Sequence, residues 1–268
     1  MPRVGTNKRW TVAAVVLALL AVTTAIVAVR WTQGEAKPVD VADVTAPTGT
    51  TLPIRRNVLR PPQGVYLFKG SGTDRIDRPP KEQAEGPSMP ATVTHRADGC
   101  WTFRLDFSTN HWQEWVYCPK DGGLTEVGGK AFQRWDFGAL VNTTTSTFTC
   151  KAPVIKAHQK PGDTWKQSCR GVSTGVKGVT RSAGPYQFVG PEIIAIGDEP
   201  VSAYRYRRDR TNTGNQEGTE HTDLWFAAET GMPLRSQHTI DTRSPTVIGT
   251  VHYTQDGTFQ LTSMKPES

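Results

Sequence analysis

Cysteine is scarce in this chain of 268 residues, histidine falls in no catalytic spacing, and helix signals are nearly absent. The four cysteines are Cys100, Cys118, Cys150 and Cys169. None lies near the N-terminus, which excludes a lipid-modified cysteine there. The six histidines include no His-x-x-x-His or His-Glu-x-x-His pair, which excludes the helical zinc-hydrolase pattern. No repeat at fixed period appears, which argues against a solenoid. Residues 171–175 spell Gly-Val-Ser-Thr-Gly, the pattern of a nucleophile elbow, but that mechanism needs a helix after the serine. The glycine- and proline-containing stretch that follows is a poor helix, so Ser173 reads as a loop serine. No catalytic residue, metal ligand set or cofactor motif is expected, and the chain does not read as an enzyme.

Long apolar runs are missing too, with one exception. Residues 11–29 carry no charge and are dominated by Ala, Val, Leu and Ile. A helix of that length spans roughly 30 Å, the thickness of a bilayer core. Arg3, Lys8 and Arg9 precede it, and Trp10 and Trp31 flank it. The pattern predicts a signal anchor over residues 10–31, weighed above a signal cleaved at residues 34–36, with a cytoplasmic tail at 1–9 and an extracytoplasmic remainder. Residues 32–62, rich in Pro, Thr and Val, read as a stalk, and 63–268 as one β domain. The net charge of +6 falls to +2 once the four basic residues of the first thirty are set aside. Nucleic acid is therefore not an expected partner.

What is abundant is alternation. Short runs of apolar residues at every second position are separated by Gly, Pro, Asp and Asn, the pattern of antiparallel strands. One weakly helical stretch is expected near residues 124–142. Four cysteines outside the membrane predict two disulfides in an oxidising compartment. Of the three possible pairings, Cys100 with Cys118 and Cys150 with Cys169 are expected. The first follows from register. If residues 108–110 turn the chain, Cys100 lies opposite Cys118, Trp101 opposite Tyr117, and Phe103 opposite Trp115. Leu105 then meets Gln113, His111 meets Phe107, and Arg104 faces Glu114 as an ion pair. One face of this hairpin collects Trp101, Phe103, Leu105, Phe107, Trp115 and Tyr117. It is either core or the lining of an apolar cavity, and Trp101, Phe103, Phe107, Trp115 and Tyr117 are the candidate ligand-binding residues. Further turns are expected at residues 255–257, setting Tyr253 against Phe259, and at 229–231, setting Phe226 against Leu234. In the second hairpin Trp225 and Arg235 share a face on which they can stack.

Two polar stretches complete the candidates. Residues 204–210 (Tyr-Arg-Tyr-Arg-Arg-Asp-Arg) place Arg205 and Arg207 on one strand face, a solvated surface or a contact for anionic lipid or an acidic partner. Residues 217–223 group Glu217, Glu220, His221 and Asp223, and read as a solvated loop rather than a metal site.

The stretch DLWFAAETGMPLRSQHTID (residues 223–241) holds a strand ending in aromatics, then TGMPLR, then a second strand. It resembles a hairpin of bacterial lipoprotein-carrier (LolA-like) domains, a superfamily that includes RseB-type envelope-stress sensors. The resemblance implies a half-open antiparallel sheet curved around one or two short helices, with an apolar cavity. The chain departs from that pattern in its anchor, its two disulfides and its scarcity of helices. These features favour a tethered binder over a shuttling carrier. The expected fold is thus mainly β: a single curved half-barrel of hairpins with one or two short helices, behind one transmembrane helix. The expected function is a single-pass bacterial membrane protein, N-terminus inside. Its extracytoplasmic module would hold a lipid-like ligand or an envelope protein partner. The alternative is a structural or assembly protein of the cell envelope with a solid core and no ligand.

Overall fold

The structure, a computed structural model, describes residues 35–48, 58–138 and 140–267. The expected tail and anchor (1–31) and part of the expected stalk lie outside these residues. Fourteen strands follow one another: β1 (Gly64–Asp77), β2 (Pro80–Glu85), β3 (Ser88–His95), β4 (Trp101–Ser108), β5 (His111–Lys120), β6 (Gly123–Asp136) and β7 (Val141–Lys151), then β8 (Pro153–Ile155), β9 (Thr164–Ser173), β10 (Val179–Ile196), β11 (Glu199–Gly214), β12 (Glu217–Ala227), β13 (Pro233–Thr246) and β14 (Gly249–Leu261). Among the described residues the helical content is a single 3-10 turn at Val41–Asp43. Among the described residues, 135–142 belong to a small unit, and 36–134 with 143–267 form the large one. In the small unit Gly138 N donates to Asp136 Oδ1 at 2.8 Å and Phe137 N to the Leu140 carbonyl at 2.8 Å, closing a tight turn.

The large unit is a closed barrel. Neighbouring strands pair antiparallel in the order β14-β13-β12-β11-β10-β9-β7-β6-β5-β4-β3-β1, and β1 then pairs with β14, so twelve strands form a ring. β2 continues β3 beyond Gly86 and Pro87: β3 pairs with the first half of β1 and β2 with the second. The half-open sheet plugged by short helices is therefore corrected to a ring that has abolished its edges. Side chains fill the space that helices were expected to plug.

Period-two alternation places those side chains. In β1, Tyr66, Phe68, Gly70, Gly72 and Asp74 share the inward face, and Lys69 and Arg75 point to solvent. The core contains Trp101, Phe103, Leu105, Phe107 and Tyr117, and Trp115 packs half-buried against it. Its rings meet edge-on or tilted: Phe68 and Phe103 at 5.6 Å, Trp101 and Tyr117 at 4.8 Å. Residues 58–62 are tied to one end of the barrel. Trp101 Nε1 donates to the Leu59 carbonyl at 3.0 Å and Tyr66 OH to the Pro62 carbonyl at 2.7 Å.

The hairpin β4–β5 has the expected register at Trp101–Tyr117, Phe103–Trp115, Arg104–Glu114 and Leu105–Gln113. Its turn is one residue shorter than expected: Ser108 pairs with His111, and Phe107 is the extra residue of a bulge. The Arg104–Glu114 ion pair is corrected as well. The Arg104 guanidinium lies 2.6 Å from Asp106 and 4.2 Å over the Trp112 ring, a closer carboxylate and a flat partner for its plane. Both disulfides are present: Cys100–Cys118, and Cys150–Cys169, whose residues are direct cross-strand partners on β7 and β9. Each closes a loop of fewer than 20 residues and contributes on the order of 3 kcal/mol by the chain-entropy argument.

The helix expected near 124–142 is β6. Asp121 and Gly122, at φ 50° and 74°, make the two-residue turn between Lys120 and Gly123 that a right-twisted hairpin prefers. Val127 is then bulged out between Glu126, opposite Tyr117, and Gly128, opposite Val116. That bulge reverses the inward phase halfway along the strand and blurs the alternation. The turn expected at 255–257 is absent: these residues run through the middle of β14, with Gly257 between His238 and Gly72. Around 229–231 Phe226 pairs with Pro233 rather than Leu234, while Arg235 does stand 4.9 Å over the Trp225 ring.

The expected membrane segment receives a correction too. Among the described residues no helix is long and apolar enough to cross a membrane. The membrane partner and the single-pass localisation rest on residues 10–31, which lie outside those residues, and find no support in the described ones.

Phe103→Ala should lower unfolding free energy by about 3–5 kcal/mol, because it empties a filled interior. Ile193→Ala, at a residue 75% exposed, should change it by less than about 0.5 kcal/mol. Urea unfolding followed by tryptophan fluorescence measures both.

Candidate functional site

The inward faces carry more than apolar rings. Towards the β1–β2 turn the interior becomes polar. Inward alternation delivers Asp74 from β1, and its direct partners Gln83 on β2 and Gln255 on β14 face the same way. Glu85 on β2 stands opposite Gly72. The bulge at Phe107 delivers His111, whose ring lies 4.7 Å from that of Phe107.

These side chains converge. His111 Nδ1 lies 3.0 Å from Asp74 Oδ2 and 2.9 Å from Glu85 Oε1. Tyr253 OH donates to Asp74 Oδ1 at 2.8 Å, and Gln133 Nε2 to Asp74 Oδ2 at 3.2 Å. Gln255 Nε2 donates to Glu85 Oε1 at 2.7 Å. Asp74, Glu85 and His111 are each at most 6% exposed. Two glycines make the room. A Cβ on Gly72 would sit 2.4 Å from Glu85 Oε2, and one on its partner Gly257 would sit 3.1 Å from the same oxygen. The Gly257 position also borders the edge of the His238 ring, with Cε1 at 3.1 Å and Nε2 at 3.3 Å. This explains why residues 255–257 form strand rather than turn: the strand needs a position without a side chain there.

Burial and charge pull these groups in opposite directions. Burial alone would depress His111, but the charges and hydrogen bonds of Asp74 and Glu85 push it up to about 10. Burial would raise Asp74, but His111, Tyr253 and Gln133 hold it below the usual carboxylate range. Glu85 is held above that range, first by burial and then by the charge of Asp74. His238 is pushed down to about 4 by burial, and its Nε2 finds no hydrogen-bond partner among the described residues.

A second polar cluster lies around Glu126. Arg208 and Arg210 approach its carboxylate at 3.8 and 3.9 Å, and Arg210 also donates to Gln167 Oε1. Glu126 falls near Cys150 and Cys169, but those sulfurs are spent in the disulfide and offer no thiolate to a metal.

The sequence-derived candidates lie elsewhere. Trp101, Phe103, Phe107 and Tyr117 belong to the buried core, and Trp115 to its margin. Two hollows, about 430 and about 360 Å³, are open surface clefts, and none of these five residues lines either. The expectation of a tethered module holding a lipid-like ligand is therefore corrected. The interior is packed at one level and filled by hydrogen-bonded polar groups at the other. Arg205 is engaged by Asp223 at 3.2 Å and Glu192 at 3.4 Å, and lies 5.0 Å over Trp225. Arg207 is more exposed, 3.8 Å from Asp223. The stretch 217–223 is strand rather than loop: His221 bonds Asp209, and Glu220 accepts from Asn212 at 2.9 Å. Ser173 Oγ accepts the Gly175 amide at 3.2 Å.

Spacing along the chain did not reveal Asp74, Glu85, His111 and His238, because they sit on four strands. The available signal was the break in alternation, a histidine opposite Phe107 and glycines at inward positions.

The two histidines predict opposite limbs of a stability profile. His111 is raised from 6.5 to about 10, so its contribution is complete below about 6.5 and is lost as pH rises through about 10. His238 is lowered from 6.5 to about 4, so its contribution is complete above about 6.5 and is lost as pH falls through about 4. Denaturant midpoints across this range should show His111→Gln flattening the alkaline limb and His238→Gln the acid one.

No family model matches this chain, and no curated protein matches it. Among solved structures, the hypothetical lipoprotein YmcC from Escherichia coli K12 is similar at 12% identity and a TM-score of 0.31, covering 73% of this chain and 88% of that one. A likeness at that level assigns neither fold nor function.

Proposed function

We propose that the chain is a non-catalytic structural or assembly protein of the bacterial cell envelope, a disulfide-held barrel that acts through its outer surface. The observation that carries this reading is the filled interior, in which Trp101, Phe103 and Leu105 are at most 1% exposed. A ring packed in this way leaves no volume for an acyl chain, so its recognition surface is outside. Two disulfides suit an oxidising compartment, where a protein that must persist gains from cross-linking. The outer surface offers an apolar tip at the β13–β14 turn, where Val247 is fully exposed and Ile248 59% exposed. Adjacent exposed aliphatic residues on a hairpin tip are a common contact for a protein partner.

Native mass spectrometry of the purified chain should give the bare polypeptide mass, and organic extraction should release no stoichiometric lipid. A photo-crosslinker at Ile248 should form one discrete protein adduct in cells, and one at buried Leu105 should form none. Stoichiometric acyl lipid, or no adduct at any exposed position, would overturn the assembly reading.

A further inference from the structure

The Asp74, Glu85 and His111 cluster has the makings of something more specific than a buried ion network. Each residue offers one ligand atom, and the three atoms lie within 4.8 Å of one another. The two distances from His111 Nδ1, 3.0 and 2.9 Å, are those between adjacent ligands of one ion. Donors about 2.1 Å from a metal and at right angles are roughly 3.0 Å apart. Both carboxylates are already oriented by outer donors, Asp74 by Tyr253 and Gln133 and Glu85 by Gln255. Such second partners are a regular feature of metal centres.

Charge points the same way. A divalent cation with a neutral imidazole would balance the charge of both buried carboxylates. The independent observation is His238. Its Nε2 is buried without a hydrogen-bond partner among the described residues, and it borders the same Gly257 position as Glu85 Oε2. A buried imidazole nitrogen with no partner is costly unless something occupies it.

We propose that Asp74, Glu85 and His111 form a binding site for a divalent transition-metal ion inside the barrel, with His238 at its border as an outer partner. The mixed imidazole and carboxylate donors suit Zn²⁺, Mn²⁺ or Fe²⁺ and disfavour Ca²⁺ and Mg²⁺, which take oxygen alone. The ion would tie together separate strands, so its role is structural. It joins β1, β2 and β5, which neither disulfide ties to one another. This inference does not depend on the assembly reading, since it concerns the interior and not the surface.

The test uses the full chain with its disulfides oxidised, unfolded with chelator and refolded with Co²⁺ alone. The expected result is a visible absorption band distinct from aqueous Co²⁺, about one equivalent of bound ion, and a higher unfolding midpoint than the metal-free chain. His111→Gln should abolish the band, and His238→Gln should weaken binding about tenfold or more. His221→Gln, which removes an exposed imidazole on β12, should leave the band unchanged. Should His111→Gln fail to fold, the wild-type spectrum and stoichiometry decide alone. An aqueous Co²⁺ spectrum with an unshifted midpoint would overturn the proposal, as would a band lost in His221→Gln.

Discussion

The pairing of β1 with β14 is the constraint on which the rest of the barrel depends. It joins residues 68–76 to 253–261, the two ends of the domain, and leaves no free edge in the ring. Once the ring is closed, every strand has one face towards a shared interior and one towards solvent. A side chain's fate is then decided by the parity of its position. Lys69 and Gly70 are neighbours in sequence, yet the first meets water and the second faces the core.

Closure also turns polar inward positions into obligations, because water cannot serve as their partner. The barrel meets this by layering. Aromatic and aliphatic side chains occupy the level of Phe68, Phe103 and Leu105. At the level of Asp74, most inward positions carry groups that satisfy one another, His238 Nε2 being the exception. Gln83, for example, accepts from Asn110 at 2.9 Å and donates to the Arg134 carbonyl at 3.0 Å. The facing glycines Gly72 and Gly257 mark where this layer is tightest. Side chains there would occupy the space of the Glu85 carboxylate and, at Gly257, the edge of the His238 ring.

Local relations were legible in the sequence, and global closure was not. The β4–β5 register could be read because cysteines, aromatics and charges agree on one alignment over fewer than twenty residues. The Trp225–Arg235 stack followed from similar local pairing. The errors came where a bulge reverses parity, at Phe107 and Val127, or where a glycine that admits a neighbour resembles a turn, as at Gly257. Whether hairpins form an arc or a ring depends on β1 meeting β14, and nothing local to either strand announces it. The Asp74 and His111 cluster was hidden for the same reason: its members become neighbours only after closure.

The two disulfides differ from the seam in the length of chain each requires. Cys100–Cys118 and Cys150–Cys169 span 18 and 19 residues, whereas Phe68 must wait for Leu261. Each cross-link needs only its own short segment, so neither depends on ring closure. The seam needs the whole domain and bears the large entropic cost of a long loop. Oxidation can thus secure two preformed segments before the final strand arrives. A chain cut short before β14 would keep those cross-linked segments but expose β1 as an unpaired strand, the form of β-structure most prone to self-association.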